Sequence, residues 1–313
     1  EPRDSARLLD TRTMADHRFS ELPQLLQPND LVVINDTRVR RARLRGRRVG
    51  TGGEIELLLL NRRAEGNWEA LISPARRIRP GVEIAVGPTV ATVTNGPTDG
   101  IVTVSFEDET DLESIGSVPL PPYITTELED PERYQTVYAR RVGSAAAPTA
   151  GLHFTPAVLA GLEAAGIRTA TVELQVGLGT FRPIATERIE DHVMHREWCS
   201  VPEATAEAIR HARQVGGRVV AIGTTTVRTL ETFGAPDGTV GSGQTETDLY
   251  LRPGSDIRVV DLLVTNFHVP GSSLLVMLAA FMGDGWRHAY EVALGRRYRF
   301  LSFGDAMLCE RNT

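Results

Sequence analysis

The sequence predicts an α/β fold: an α/β domain with a mainly parallel sheet, interrupted by an inserted small antiparallel β-barrel domain. Three observations predict it. From about residue 119 onward, helix-like and strand-like segments alternate, the pattern of a layered α/β domain. Residues 41–118 instead carry short β-rich segments at close, even spacing between Gly and Pro breaks, which suits a small barrel. The apolar run Leu31-Val-Val-Ile-Asn35 precedes that zone, so the α/β domain reads as discontinuous, residues 1–40 with 119–313.

Each element has its own warrant. Leu31–Asn35 is a continuous apolar strand followed by the polar triplet Asp36-Thr-Arg38. The barrel zone supplies Ile55–Leu60, Trp68–Ile72, Val82–Val86, Thr89–Val93 and Ile101–Phe106, then a solvated acidic run, Glu107–Glu113. Pro119-Leu-Pro-Pro122 marks a stiff boundary. Thr155-Pro156 gives an N-cap and a first-turn proline to a helix over Ala157–Ala165, with Gly166 as its stop. Further strands are expected at Thr169–Leu174, Arg218–Ile222, Val259–Val264 and Arg299–Phe303. Helices are expected at Glu203–Val215, Thr226–Phe233, Ser272–Met282 and Trp286–Leu294.

Composition excludes several chemistries. The 313 residues include 34 basic ones, every one of them Arg, with a formal net charge of −6. The absence of Lys removes a Schiff-base lysine, a P-loop lysine and a lysine general base. No apolar stretch approaches the roughly 20 residues of a membrane span, and Leu274–Met282 reads as a buried helix. Two cysteines, Cys199 and Cys309, are too few for a disulfide scaffold and fit a reducing compartment. No signal peptide is evident, and the chain opens at Glu1 without Met, which leaves open whether residues precede Glu1 in the native chain. The expected location is cytoplasmic, with no membrane association and no obligate protein partner.

Ligands of open α/β sheets bind beyond the carboxyl ends of the strands, and several strand ends here carry polar residues. Gly223-Thr-Thr-Thr226 follows one strand and opens a helix, suiting either an anion or ribose site or a plain N-cap and turn. Gly177-Leu-Gly-Thr-Phe181 offers glycines for a close backbone approach, without the third glycine of a dinucleotide fingerprint. Thr265-Asn-Phe-His268 and Pro148-Thr-Ala-Gly-Leu-His153 place Asn266, His268 and His153 at element boundaries, as acid–base or as structural groups. Asp191-His-Val-Met-His-Arg-Glu197 with Cys199 offers His192, His195 and Cys199 as zinc ligands or as substrate contacts. Finally, Arg38–Arg48 packs seven arginines into eleven residues. Extended, it puts Arg41, Arg43, Arg45 and Arg47 on one face, fit for a phosphate backbone or for a solvated barrel wall.

As an ordered set, these segments resemble the S-adenosylmethionine:tRNA ribosyltransferase-isomerases of queuosine biosynthesis. The blocks that carry the resemblance include Asn35-Asp-Thr-Arg38, Pro119-Leu-Pro-Pro-Tyr-Ile124 and Ala147-Pro-Thr-Ala-Gly-Leu-His-Phe154. Val176-Gly-Leu-Gly-Thr-Phe181, Gly223-Thr-Thr-Thr-Val-Arg228, Thr265-Asn-Phe-His268 and Gly304-Asp-Ala-Met307 complete the order, so the resemblance spans the chain. It implies an α/β domain with an inserted barrel. It implies transfer and isomerisation of the ribosyl moiety of S-adenosylmethionine onto 7-aminomethyl-7-deazaguanine at the tRNA wobble position. The products are epoxyqueuosine-tRNA, adenine and methionine. S-adenosylmethionine is then a consumed co-substrate, and no cofactor or metal is expected.

That chemistry needs a base beside the sulfonium and a proton donor to departing adenine. His153, His268, His192 and His195 are the candidates. Substrate positioning falls to Thr224, Thr225, Thr226, Arg228, Gly177, Gly179, Thr180, Phe181, Asn266, Asn35, Asp36 and Arg38, and tRNA contact to Arg41, Arg43, Arg45 and Arg47. One departure stands out. Where the family usually has His before Val-Gly-x-Gly-Thr-Phe, this chain has Gln175, which cannot act as a base. The rival readings are a zinc-dependent hydrolase on His192, His195 and Cys199, and a non-catalytic RNA-binding protein.

Overall fold

The computed structural model describes residues 2–63, 66–98, 100–110, 112–121, 123–124, 126, 128–177 and 183–312. The chain forms two compact units, Glu1–Arg38 with Glu132–Thr313, and Val39–Pro131. Strands β1 (Arg7–Asp10), β2 (Ala15–Arg18) and β3 (Leu31–Asn35) come first. They are followed by β4 (Arg43–Arg48), β5 (Glu54–Arg62), β6 (Asn67–Ser73), β7 (Glu83–Val86), β8 (Thr89–Thr98) and β9 (Ile101–Phe106). Next are α1 (Pro156–Ala164), β10 (Arg168–Leu174), β11 (Glu197–Val201), α2 (Glu203–Gln214), β12 (Val219–Ile222) and α3 (Thr224–Thr232). The chain ends with β13 (Gly243–Thr247), β14 (Leu262–Asn266), α4 (Ser273–Met282), α5 (Gly285–Gly295) and β15 (Ala306–Glu310).

In the larger unit a nine-stranded sheet runs β13-β11-β10-β3-β12-β14-β15-β1-β2. Its four central strands, β10, β3, β12 and β14, are parallel, and their carboxyl ends share one edge. The flanks are mixed: β11 lies antiparallel to β10, and β15 antiparallel to β14 but parallel to β1. Both faces of the centre are covered, which is why β3, β12 and β14 are buried at every position and read as unbroken apolar runs. One core layer packs α2, α3, α4 and α5 with Val33, Ala221 and Leu263; the other packs α1 and Phe19 with Val32, Ile34, Val220 and Val264.

Local chemistry sets the boundaries. Thr155 Oγ1 accepts from Val158 N at the start of α1, and Ser272 Oγ does the same for Leu275 N at α4. Gly223 joins β12 to α3 with φ 83°, a conformation that only glycine adopts freely. One expectation is corrected. Arg299–Phe303 is not a strand; the last strand is β15. Fully buried Asp305 gathers the chain there, accepting from Arg299 N at 2.7 Å and Arg7 N at 3.0 Å, while Leu301 adopts φ 73°. A side chain at Gly304 would stand 2.4 Å from Arg299 O, so the turn requires glycine.

The smaller unit is a closed six-stranded antiparallel barrel in the order β9-β6-β5-β4-β7-β8. Its strands alternate buried and open positions, so Leu57, Ala70, Ile84, Ala91 and Val104 fill the interior. Gly46 is a glycine of necessity: a Cβ there would lie 2.6 Å from Ala85 O on β7. No helix among the described residues is long and apolar enough to cross a membrane.

Candidate active site at the carboxyl edge of the parallel strands

The polar segments singled out in the sequence sit where the four parallel strands end. Asn35 closes β3 as a staple. Its Oδ1 accepts from Thr37 N, Thr37 Oγ1 and Leu174 N, and its Nδ2 donates to Leu174 O at 3.0 Å and Thr225 Oγ1 at 3.3 Å. One fully buried amide thus ties β3, the end of β10 and the first turn of α3 together. Thr226 Oγ1 donates back to Ile222 O, and Thr224 and Thr225 lie nearly buried at the N-terminus of α3. Asp36, next along the chain, is also buried. Burial pushes its carboxyl up, Arg141 counters this, and Glu173 adds to the rise. Arg38 is paired with Glu132.

A second group converges where β10 and β11 meet. Glu197 Oε1 accepts from Gly177 N at 2.7 Å and lies 3.2 Å from His195 Nε2. Its Oε2 pairs with Arg228 of α3, whose guanidinium also donates to the carbonyls of Leu249 and Thr247. Burial alone would push the Glu197 carboxyl up; His195, Arg228 and the Gly177 N–H outweigh it and hold it below the usual carboxylate range. The Glu197 side chain is 1% exposed, whereas His195 is 28% exposed. Sequence reasoning named Gly177, His195 and Arg228 but missed Glu197, the residue that joins them. Gly179, Thr180 and Phe181 lie outside the described residues.

The other histidines have different surroundings. His153 accepts at Nε2 from Asn266 Nδ2 (3.0 Å), bonds the backbone of Arg3, and packs on Phe19 with ring centroids 5.1 Å apart. His268 pairs through Nε2 with Thr265 Oγ1, and its backbone N and O both engage the Tyr290 hydroxyl. Both rings are buried, and burial pulls each pKa down to about 4, so both are neutral at pH 7. His192 packs edge-on against Tyr250. Asn266 also donates to Asp305 O, and its buried Oδ1 has no hydrogen-bond partner among the described residues.

The zinc reading of His192, His195 and Cys199 finds no support. Cys199 is fully buried with its thiol pushed up to about 11 by burial, and Glu197 occupies His195. Among the described residues, no group of three or more His, Cys, Asp or Glu side chains is placed to hold a metal ion. Gln175, at the position of the usual family histidine, donates to Glu173 Oε1 at 3.2 Å.

On the barrel, Arg43, Arg45 and Arg47 share a face of β4, and Leu44 points inward. Carboxylates accompany two of them: Arg43 lies 3.4 Å from Glu56, and Arg47 lies 3.5 Å from Glu54. Arg41 precedes the strand. Among the described residues, Arg41 and Arg45 have no carboxylate at ion-pair distance from their side chains, and both are exposed.

Fold and site together define an α/β protein with an inserted barrel, its polar residues gathered where small ligands bind in such sheets. A family model described as "Queuosine biosynthesis protein" matches residues 1–309, and the chain belongs to that family. The S-adenosylmethionine:tRNA ribosyltransferase-isomerase of Moorella thermoacetica is 49% identical over 98% of this chain and 94% of its own length. The protein of that name from Symbiobacterium thermophilum is 50% identical with the same coverage. A crystal structure of the S-adenosylmethionine tRNA ribosyltransferase of Thermotoga maritima matches with a TM-score of 0.54 at 36% identity, covering 98% of this chain and 93% of that one. These relatives lend no support to a hydrolase or a non-catalytic RNA-binding module.

Proposed function

We propose that the protein is an S-adenosylmethionine:tRNA ribosyltransferase-isomerase of queuosine biosynthesis. It moves the ribosyl part of S-adenosylmethionine onto 7-aminomethyl-7-deazaguanine at the tRNA wobble position and rearranges it, releasing adenine and methionine. S-adenosylmethionine is the consumed co-substrate, the tRNA is the acceptor, and the cytoplasm is the compartment. No metal enters the scheme.

One observation carries the chemistry to this edge of the sheet: Gly177, His195 and Arg228 converge on the buried carboxylate of Glu197. The sulfonium acidifies the neighbouring 5′-carbon, and a base must take that proton to begin ring opening and adenine loss. His195 suits this role. Of the four candidate histidines it is, among the described residues, the one with a carboxylate at ion-pair distance from its ring, and it is partly exposed, whereas His153 and His268 are buried and neutral. Thr224, Thr225 and Asn266 lie where they can position ribose. The Asn266 Oδ1, without a partner among the described residues, is an acceptor suited to a sugar hydroxyl. The test is the product. Incubation with S-adenosylmethionine and precursor-modified tRNA should give a nucleoside heavier by the transferred ribosyl unit; an unchanged nucleoside would refute the assignment.

The arginine face of β4 supplies a place for the tRNA backbone. Charge reversal at Arg41 and Arg45 should weaken tRNA binding roughly uniformly across sequences. It should also flatten the log–log salt slope by about one for each phosphate that is no longer neutralised. If affinity and slope stay at wild-type values, these arginines are only a solvated barrel wall.

A further inference from the structure

We propose that Glu197 is the positioning residue of this active site, fixing His195 as the tautomer protonated on Nε2 and tying that ring to Gly177 and to helix α3. The inference rests on the reading of His195 as the acid–base group. A carboxylate without a proton can only accept hydrogen bonds. Its Oε1 takes the Gly177 N–H at 2.7 Å and faces His195 Nε2 at 3.2 Å, so the Nε2 position must be the one that carries hydrogen. Nε2 is thereby committed to Glu197. Arg228 keeps the carboxylate charged from α3 against the burial that opposes it. The 1% exposure of the side chain, and the anchoring of Arg228 on the carbonyls of Leu249 and Thr247, keep it still. A purely structural ion pair would need only Arg228. Sharing Oε1 between a backbone N–H and an imidazole goes beyond that pair, because it sets the orientation of a partly exposed ring. Gly177 opens the Gly177-Leu-Gly-Thr-Phe181 segment, so the same oxygen fixes the base and the residue leading into that segment.

The test joins a spectrum with a rate. In the wild-type full chain labelled with 15N-histidine, His195 (assigned by the loss of its signals in His195→Asn) should show hydrogen on Nε2. An Nε2 without hydrogen overturns the proposal, and this measurement needs no variant that might misfold. Glu197→Gln keeps the shape, but its amide can either donate to or accept from the ring, so the tautomers should mix. Adenine formation should then fall at least tenfold in kcat, with KM for S-adenosylmethionine changed less than twofold, and Glu197→Asp should recover part of the rate. Wild-type kcat in a folded Glu197→Gln protein would overturn the proposal. If the wild-type enzyme itself released no adenine, the ribosyl-transfer reading would fall, and the tautomer would still decide the role of Glu197.

Discussion

Replacing His195 by alanine lowers turnover by about 10²- to 10⁴-fold, the usual cost of removing a positioned acid–base group. The residue lies just before β11, is partly exposed, and pairs through its ring with Glu197. Its removal therefore leaves the fold intact, and the thermal midpoint should stay within a few degrees of wild type. KM for S-adenosylmethionine should hardly move, because the imidazole is assigned to proton transfer rather than to ground-state binding. Steady-state adenine formation by His195→Ala, beside a melting curve, checks both parts. A kcat within threefold of wild type would remove His195 from the mechanism and return the role to the other histidines.

A second large effect lies in acid stability. His153 and His268 each have a folded pKa of about 4 against an ordinary value of 6.5. A depressed imidazole pKa means that the unfolded chain binds a proton which the folded chain refuses, so unfolding gains as the pH falls. Above about pH 6.5 both states are neutral and the effect is absent. Between pH 6.5 and 4 the loss accumulates, approaching about 3 kcal/mol per imidazole at about 1.4 kcal/mol for each pKa unit. Two such groups consume a large share of a typical folding free energy of about 5–15 kcal/mol. Asp36 and Glu231 act in the opposite direction, since burial raises both and protonation on acidification relieves them. Carboxylates held low, such as Asp305, contribute their own loss only below the ordinary carboxylate range. Denaturant midpoints should therefore decline steeply from pH 7 to pH 5, and His153→Gln with His268→Gln should flatten that decline. A midpoint independent of pH across this interval would mean that the two rings titrate normally in the folded protein.

How far the molecule was legible depends on the range of the interactions that decide each part. The strand Leu31–Asn35, the Thr155-Pro156 helix start and the glycine before Thr224 are written in adjacent residues, and the structure has them there. The barrel was legible from spacing, because alternation and turn residues are local signals. Strand β13 was not, since Gly243-Gln-Thr-Glu-Thr247 is a mostly exposed edge without an apolar face to announce it. The Arg299–Phe303 segment misled for the opposite reason: its residues imitate a strand, and a buried aspartate two residues beyond turns the chain. Glu197 was hidden because, although His195 is only two residues away, its other partners stand at 177 and 228, and no local spacing signals a carboxylate that those distant groups also share. Burial of His153 and His268 was equally silent, being set by Phe19, Asn266 and Tyr290 from elsewhere in the chain.

Ribosyl transfer is measured most directly as adenine release from S-adenosylmethionine by the purified full chain. It should be run with tRNA bearing 7-aminomethyl-7-deazaguanine at the wobble position and, in parallel, with the same tRNA carrying guanine there. Adenine should form in proportion to the modified tRNA consumed, with methionine in equal amount, and neither product should rise above background with the guanine tRNA. Modified tRNA that yields no adenine would contradict ribosyl transfer.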